Sequence, residues 1–146
     1  MKPIVTACAL IYIKTEDKYS VLLTKRSLHS SFLPGCYEIP GGHIEEGEEI
    51  SDGLQREIRE ELNLNIKVGE LFDSFTYQNK GGEVIEYIYL ATPASPLTDI
   101  KIQEDEVDSY IWIKADEIEK VLTNNKNIDD PEIKILRKAF AYLEKK

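Results

Sequence analysis

Three carboxylates, Glu57, Glu60 and Glu61, stand at i, i+3 and i+4 in the segment QREIREEL. On a helix, at about 100° per residue, they fall within an arc of roughly 100° on one face. Like charges so placed destabilise a helix by roughly a few tenths of a kcal/mol per pair in water, and by more where a cleft lowers the dielectric. A hard divalent cation such as Mg2+ or Mn2+ offsets that repulsion, because it takes oxygen ligands and can share them with substrate phosphates. The chemistry such a cluster suits is metal-assisted hydrolysis, in which bound metal activates water and neutralises charge building on bridging phosphate oxygens. Taken alone, QREIREEL also reads as an ordinary solvated helix face. The glycines and acid upstream of it decide between the two readings.

The element that must carry the carboxylates is a helix over 51–62, with Ser51 or Asp52 as its N-cap and Leu54, Ile58 and Leu62 recurring every four residues beside the acids. Asn63 suits the left-handed residue that ends it. Upstream, Ile4 to Tyr12 and Tyr19 to Thr24 read as two strands joined by the polar stretch Lys14 to Lys18. Ser27 to Gly35 reads as a loop, Tyr37 to Ile39 as a short extended piece, and Gly41-Gly42 as a turn of the chain. Downstream, strands are expected at Asn65 to Val68, Leu71 to Tyr77 and Val84 to Ala91, with a hairpin turn at Asn79 to Gly82. A loop from Pro93, a strand over Ser109 to Ile113, a short helix over Asp116 to Leu122 and a terminal helix over Pro131 to Lys146 complete the chain. Strands with few, scattered helices predict an α/β protein with a mixed sheet covered by helices.

At 146 residues the chain is expected to be one domain over 1–146. Its apolar stretches are short and broken by charge, so no membrane span or signal peptide is expected, and the cytoplasm is the expected location. Cys8 and Cys36 lack metal-ligand spacing and read as reduced thiols, without zinc. The net charge of -9 argues against a nucleic-acid surface. Much of it is local: between Glu45 and Glu61 eight acids face Arg56 and Arg59, a charge of -6.

Gly42, Glu48, Arg56-Glu57-Ile58, Glu60-Glu61 and Leu64 match, at fixed spacing, the pattern G-x5-E-x7-R-E-U-x-E-E-x-G-U, where U is a bulky aliphatic residue. In this the chain resembles the Nudix hydrolases. A chance match at these positions is expected on the order of once in ten thousand such sequences. One position departs, the final glycine being Asn63, which tolerates the same left-handed conformation. The order of elements around the box is also similar to the Nudix fold, which implies an α/β/α sandwich with a central mixed β-sheet.

The resemblance implies that Gly41 offers a backbone carbonyl to metal and that Glu57, Glu60 and Glu61 bind Mg2+ (or Mn2+). It implies that Arg56 pairs with Glu48 and orients the box acids, so the catalytic set is Glu48, Arg56, Glu57, Glu60 and Glu61. Members of the family differ in the general base; of the acids Glu104, Asp105 and Glu106, Glu104 is the choice for an added metal ligand or base, against the plain reading of a solvated acidic loop. For the substrate, Lys25 and Arg26 are placed to meet phosphate oxygens. Phe32, Phe75 and Tyr77 are aromatic residues that could stack on a base, though strand aromatics are usually core. His29 and His43 read as loop or surface residues.

The expected activity is hydrolysis of a nucleotide phosphoanhydride, with a (d)NTP pyrophosphohydrolase, oxidised nucleotides of the 8-oxo-dGTP type included, as the first reading. ADP-ribose or another nucleotide-sugar diphosphate is the sibling substrate. A non-catalytic nucleotide sensor is the rival of a different class. The partner is a nucleotide-type small molecule, with no membrane and no nucleic acid, and a homodimer is carried as an expectation of assembly.

Overall fold

Alternating Val, Ile, Leu and Tyr build seven strands, which pair into a mixed sheet, in a computed structural model that describes residues 3–29, 35–105, 107–122 and 130–145. The strands are β1 (Ile4–Thr15), β2 (Lys18–Arg26), β3 (Tyr37–Glu38), β4 (Gly41–His43), β5 (Ile66–Asn79), β6 (Gly82–Pro93) and β7 (Val107–Ile113). The helices are α1 (Ile50–Leu62), α2 (Glu119–Leu122) and α3 (Pro131–Glu144). The chain divides into two compact units, Met1–Ile11 with Pro40–Lys101 and Tyr12–Ile39 with Ile102–Lys146. Strand β1 contributes its first part to one unit and its last four residues to the other.

In the first unit the strands pair in the order β4-β1-β6-β5. Strand β1 runs parallel to β6, from Ile4 opposite Val84 to Ile11 opposite Ala91, while β4 and β5 pair antiparallel. Ala7, Ala9, Leu10, Ile11, Val84, Ile88 and Leu90 are buried in this sheet. Helix α1 lies against β4 and β5 and buries Leu54, Ile58 and Leu62, the stripe read from the sequence.

In the second unit β2 pairs with the end of β1, with β3 and with β7, all antiparallel. Glu16 and Asp17 close the first hairpin, both at positive φ (51° and 68°), the pair of angles that a two-residue turn of the favoured hand requires. Helix α3 lies against β2 and buries Ile133, Leu136, Ala139, Phe140 and Leu143. Its N-cap Asp130 accepts from the Glu132 N–H at 2.8 Å, and Pro131 sits in the first turn. Glu132 in turn accepts from the Ile39 N–H at 2.8 Å, so α3 holds the chain just ahead of Pro40 and Gly41.

Four expectations of local structure change. Gly41-Gly42 is not a turn but strand β4, because its backbone finds ladder partners in Thr6, Ala7 and Cys8. The two strands expected between Asn65 and Tyr77 are one, β5, whose register against β6 shifts between Val68 and Asp73. Helix α1 starts at Ile50 with Glu49 at its N-cap and no side-chain cap; the Ser51 hydroxyl accepts from Gln55 Nε2 at 3.3 Å instead. The region 116–122 holds a 3-10 turn, Ala115–Glu117, followed by the four-residue α2.

Candidate active site

The site is assembled in the first unit, from β4, the loop 44–49 and α1. Glu48 organises the loop: its Oε1 accepts from the Glu45 N–H at 3.0 Å and its carboxylate takes a forked pair of bonds from Arg56, Nε at 2.9 Å and Nη2 at 3.0 Å. Two parallel N–H···O bonds fix both groups in one plane. The Arg56 bond, then the Glu45 N–H, hold the Glu48 carboxyl down at about 2, against a smaller opposing effect of burial. Glu48 raises the Arg56 pKa further above its ordinary range, with Glu60 and Glu57 adding to the effect.

The rest of the guanidinium is spent on the carboxylate face. Arg56 Nη1 donates to Glu57 Oε1 at 3.2 Å and to Glu60 at 3.3 and 3.4 Å, and Nη2 donates to the His43 carbonyl at 3.3 Å. One arginine therefore joins the loop, strand β4 and two of the three helix acids. Glu57 is largely covered, with a side chain 15% exposed, and Glu61 is buried at 5%, whereas Glu60 is open to solvent at 56%.

Two glycines permit this approach. A Cβ on Gly42 would overlap the Glu57 carboxylate, and one on Gly53 would come within 2.7 Å of Glu48 Oε1 and 2.8 Å of Ile44 Cδ1. Gly42 is therefore the floor on which Glu57 rests, and Gly53 lets the loop lie on the first turns of α1. Any side chain at residue 42 would push away a carboxylate of the cluster.

Helix α1 ends at Asn63, at φ 53° and ψ 37°, with its N–H donating to the Arg59 carbonyl at 2.9 Å. Its side chain does what glycine cannot: Nδ2 donates to the Asp99 carbonyl at 3.0 Å, while the Lys101 N–H donates to the Leu62 carbonyl at 2.8 Å. Asn63→Ala is expected to cost about 1–2 kcal/mol, from left-handed strain and a lost hydrogen bond, while Asn63→Gly, which loses the same bond but carries no such strain, is expected to cost about 1 kcal/mol less than alanine. Thermal unfolding of the two variants measures the difference, and equal losses would show that the backbone conformation is not the controlling term.

Of the remaining sequence-derived residues, Gly41 lies in the site's own strand and the others stand elsewhere. Gly41 is in β4 opposite Cys8. Glu104 is exposed in the turn before β7, and Lys25 and Arg26 end β2, all three in the second unit. Arg26 is engaged by Glu38, Nη1 to its two carboxylate oxygens at 3.1 and 2.9 Å, and Lys25 Nζ lies 6.0 Å from the Tyr37 ring centre. Phe32 and Glu106 lie outside the described residues. Tyr77 is half-buried on β5, its ring centre 6.0 Å from that of Phe75. The motif-led reading passed over Thr6 and Glu86, whose side chains meet at 3.4 Å on β1 and β6. The signal for Glu86 was an acid inside the otherwise apolar run V-I-E-Y-I-Y-L.

The donors in this site, carboxylate oxygens beside backbone carbonyls, are of the kind that hard divalent cations take. Among the described residues no three His, Cys, Asp or Glu side chains close into a metal cage; Glu57 and Glu60 converge on the Arg56 guanidinium instead. The donor chemistry fits such an ion, and Glu57, Glu60 and Glu61, on one helix, are the carboxylates that would hold it.

A NUDIX domain model matches residues 3–137. The chain belongs to the Nudix family and is a Nudix pyrophosphohydrolase. It is 32% identical over 120 residues to the nucleoside triphosphatase NudI of Escherichia coli K12, covering 76% of this chain and 82% of that one. Its fold is that of the Ap4A hydrolase of C. elegans, with a TM-score of 0.78, 24% identity and coverage of 98% and 99% of the two chains. The NUDIX domain of Shewanella oneidensis NrtR, solved with ADP ribose, matches at a TM-score of 0.72 and 18% identity over 98% of this chain and 90% of that one.

Proposed function

We propose that the chain is a nucleoside triphosphate pyrophosphohydrolase that releases pyrophosphate from a (d)NTP, with a divalent ion, Mg2+ or Mn2+, held by Glu57, Glu60 and Glu61 and the Gly41 carbonyl. The observation that carries this reading is the acid face itself: Glu57 set on Gly42, with Glu48, Glu57 and Glu60 drawn together by one arginine. The likeness to NudI, named a nucleoside triphosphatase, supports the substrate class. When bound, the metal lowers the pKa of water and screens the phosphate charge. The chain's own part is positional: Arg56 fixes the carboxylates, Glu48 fixes Arg56 and the loop, and Gly42 leaves space for Glu57. Tyr77 and Phe75 offer ring faces to the base, and Lys25, Arg26 and Phe32 are the proposed substrate contacts, with Glu104 as the added ligand or base.

The same reading takes 1–146 as a single domain, supported by the one NUDIX match over residues 3–137, and places the enzyme in the cytoplasm with free nucleotides. A homodimer would show as twice the chain mass in light scattering. Among the described residues no helix is long and apolar enough to cross a membrane.

A panel of dNTPs, NTPs, dinucleoside polyphosphates and ADP-ribose, assayed with Mg2+ or Mn2+, tests the proposal. Nucleoside monophosphate plus pyrophosphate from dNTPs is the expected result. AMP plus a sugar phosphate from ADP-ribose, with dNTPs untouched, replaces it with the diphosphatase reading. A panel left wholly intact replaces it with the nucleotide sensor.

A further inference from the structure

Strand β5 is 14 residues long, against a usual length of about five or six. It stands at the end of the order β4-β1-β6-β5, and among the described residues its only strand partner is β6. An edge strand offers a row of backbone N–H and C=O groups to any further strand, and proteins commonly blunt such edges with bulges, charge or proline. The two parts of β5 differ in this respect. Residues 66–73 carry Lys67, Gly69 and Glu70 along with both register shifts. Residues 73–79 pair with β6 without a break, from Asp73 opposite Ile88 to Asn79 opposite Gly82, and 74–79 hold no charge, glycine or proline.

In an antiparallel strand the N–H and C=O of one residue point to the same side, and successive residues alternate between the two sides. The Ser74 N–H donates to Asp73 Oδ1 at 2.8 Å, a side-chain acceptor instead of a β6 carbonyl, which places the backbone groups of 74, 76 and 78 on the outer side. Ser74, Thr76 and Gln78 are exposed, and Phe75 and Tyr77 between them are half-buried. This stretch is complementary to itself. An antiparallel second copy with a two-fold axis through Thr76 sets Thr76 against Thr76 and Ser74 against Gln78, the residue-on-itself arrangement of a two-fold contact. Facing threonine side chains can share hydrogen bonds across a strand pair. At each end Asp73 of one copy comes beside the Lys80 end of the other, so opposite charges meet there, in a chain whose net charge of -9 sets two copies against each other elsewhere.

We propose that two copies of the chain pair antiparallel along 74–78 of β5, with Thr76 on the two-fold axis, and so join their sheets edge to edge. The outer N–H and C=O groups of Thr76 and Gln78 close main-chain bonds to the second copy, the contribution that gives strand addition its affinity. An extended peptide from another protein would meet the same backbone groups, but a second copy also brings the self-matched register and the opposite charge of Asp73 and Lys80. This surface rests on the homodimer reading above and not on the substrate or the metal.

The test is the mass of the full chain in sedimentation and light scattering, from micromolar to millimolar concentration, with the wild type expected to reach twice the chain mass. Thr76→Lys is expected to raise the dimer dissociation constant at least about tenfold, because like charges then stand directly opposite each other on the axis. Thr76→Glu should do the same. Mixing the two variants in equal amounts sets lysine against glutamate and should restore the dimer, an outcome that only this register gives. Thr76 is exposed, so neither change touches the core, and circular dichroism confirms that each variant is folded. A wild type that stays monomeric at millimolar concentration overturns this surface and the homodimer together. A dimer that both variants leave intact, or a mixture that stays monomeric, overturns the surface and leaves the homodimer to another face.

Discussion

Glu57→Gln is expected to lower kcat by at least about a hundredfold while leaving the fold intact, and Glu61→Gln to do the same. The substitution changes charge and little else. Glu57 Oε1 accepts from Arg56 Nη1 at 3.2 Å, and the amide oxygen of glutamine can accept that bond in the same place. The space above Gly42 stays filled by a side chain of equal length. What is removed is one negative charge from a face that, in the proposed mechanism, holds a divalent cation next to phosphates. A hundredfold loss corresponds to about 2.7 kcal/mol of barrier, within the range of a displaced ligand. Glu61 is the sharper case, because its carboxylate is buried at 5% exposure, where charge is less screened. The measurement is kcat across a metal titration, with circular dichroism and thermal unfolding as controls. Wild-type turnover by Glu61→Gln at saturating metal would remove Glu61 from the assignment.

The parts of this site that follow local rules were legible in the sequence. The i, i+3, i+4 spacing fixes which acids share a face of α1, and the leucine stripe fixes which face is buried, whatever the rest of the chain does. The Asn63 conformation was legible for the same reason: few residues enter the left-handed region without strain. Properties set by distant partners were not. Gly41-Gly42 has the composition of a turn, and becomes a strand only because residues 6–8 offer a ladder. Ser51 is a good N-cap by type, yet its hydroxyl serves Gln55, and the helix begins one residue earlier without a side-chain cap. The break expected within β5 is absorbed as a register shift in which β5 carries the extra residues opposite β6, a pairing that the β5 segment alone does not show.

The contact between Thr6 and Glu86 is the extreme of this dependence. Thr6 and Glu86 are 80 residues apart and Phe75 pairs with Glu86 from a third strand, so no window of sequence shows them together. Arg56 falls between the two cases. Its pairing with Glu48 was implied by the family pattern, but its bonds to Glu57, Glu60 and the His43 carbonyl come from the packing of α1 on β4.

Arg56→Ala is accordingly expected to lower kcat/KM by about 10- to 100-fold, the range for losing a residue that orients metal ligands. Arg56→Lys should recover little of that, because an ammonium offers no planar fork for Glu48 and cannot also span Glu57, Glu60 and the His43 carbonyl. A readout separate from turnover identifies the cause. In the wild type Glu48 titrates at about 2 against an ordinary value of 4.5, held there first by its bond from Arg56. A depressed carboxyl pKa means that the pair's contribution to folding is fully present above the ordinary carboxylate range and is lost as pH falls toward 2. The loop should therefore keep its geometry in moderately acidic solution. In Arg56→Ala the Glu48 pKa should climb back toward its ordinary value, limited by the bond it keeps from the Glu45 N–H. Side-chain carboxyl NMR shifts followed from pH 7 downward measure this directly. A Glu48 titration that stays near 2 in the alanine variant would show that the loop backbone, not the arginine, holds the carboxylate, and any loss of activity would then need another explanation.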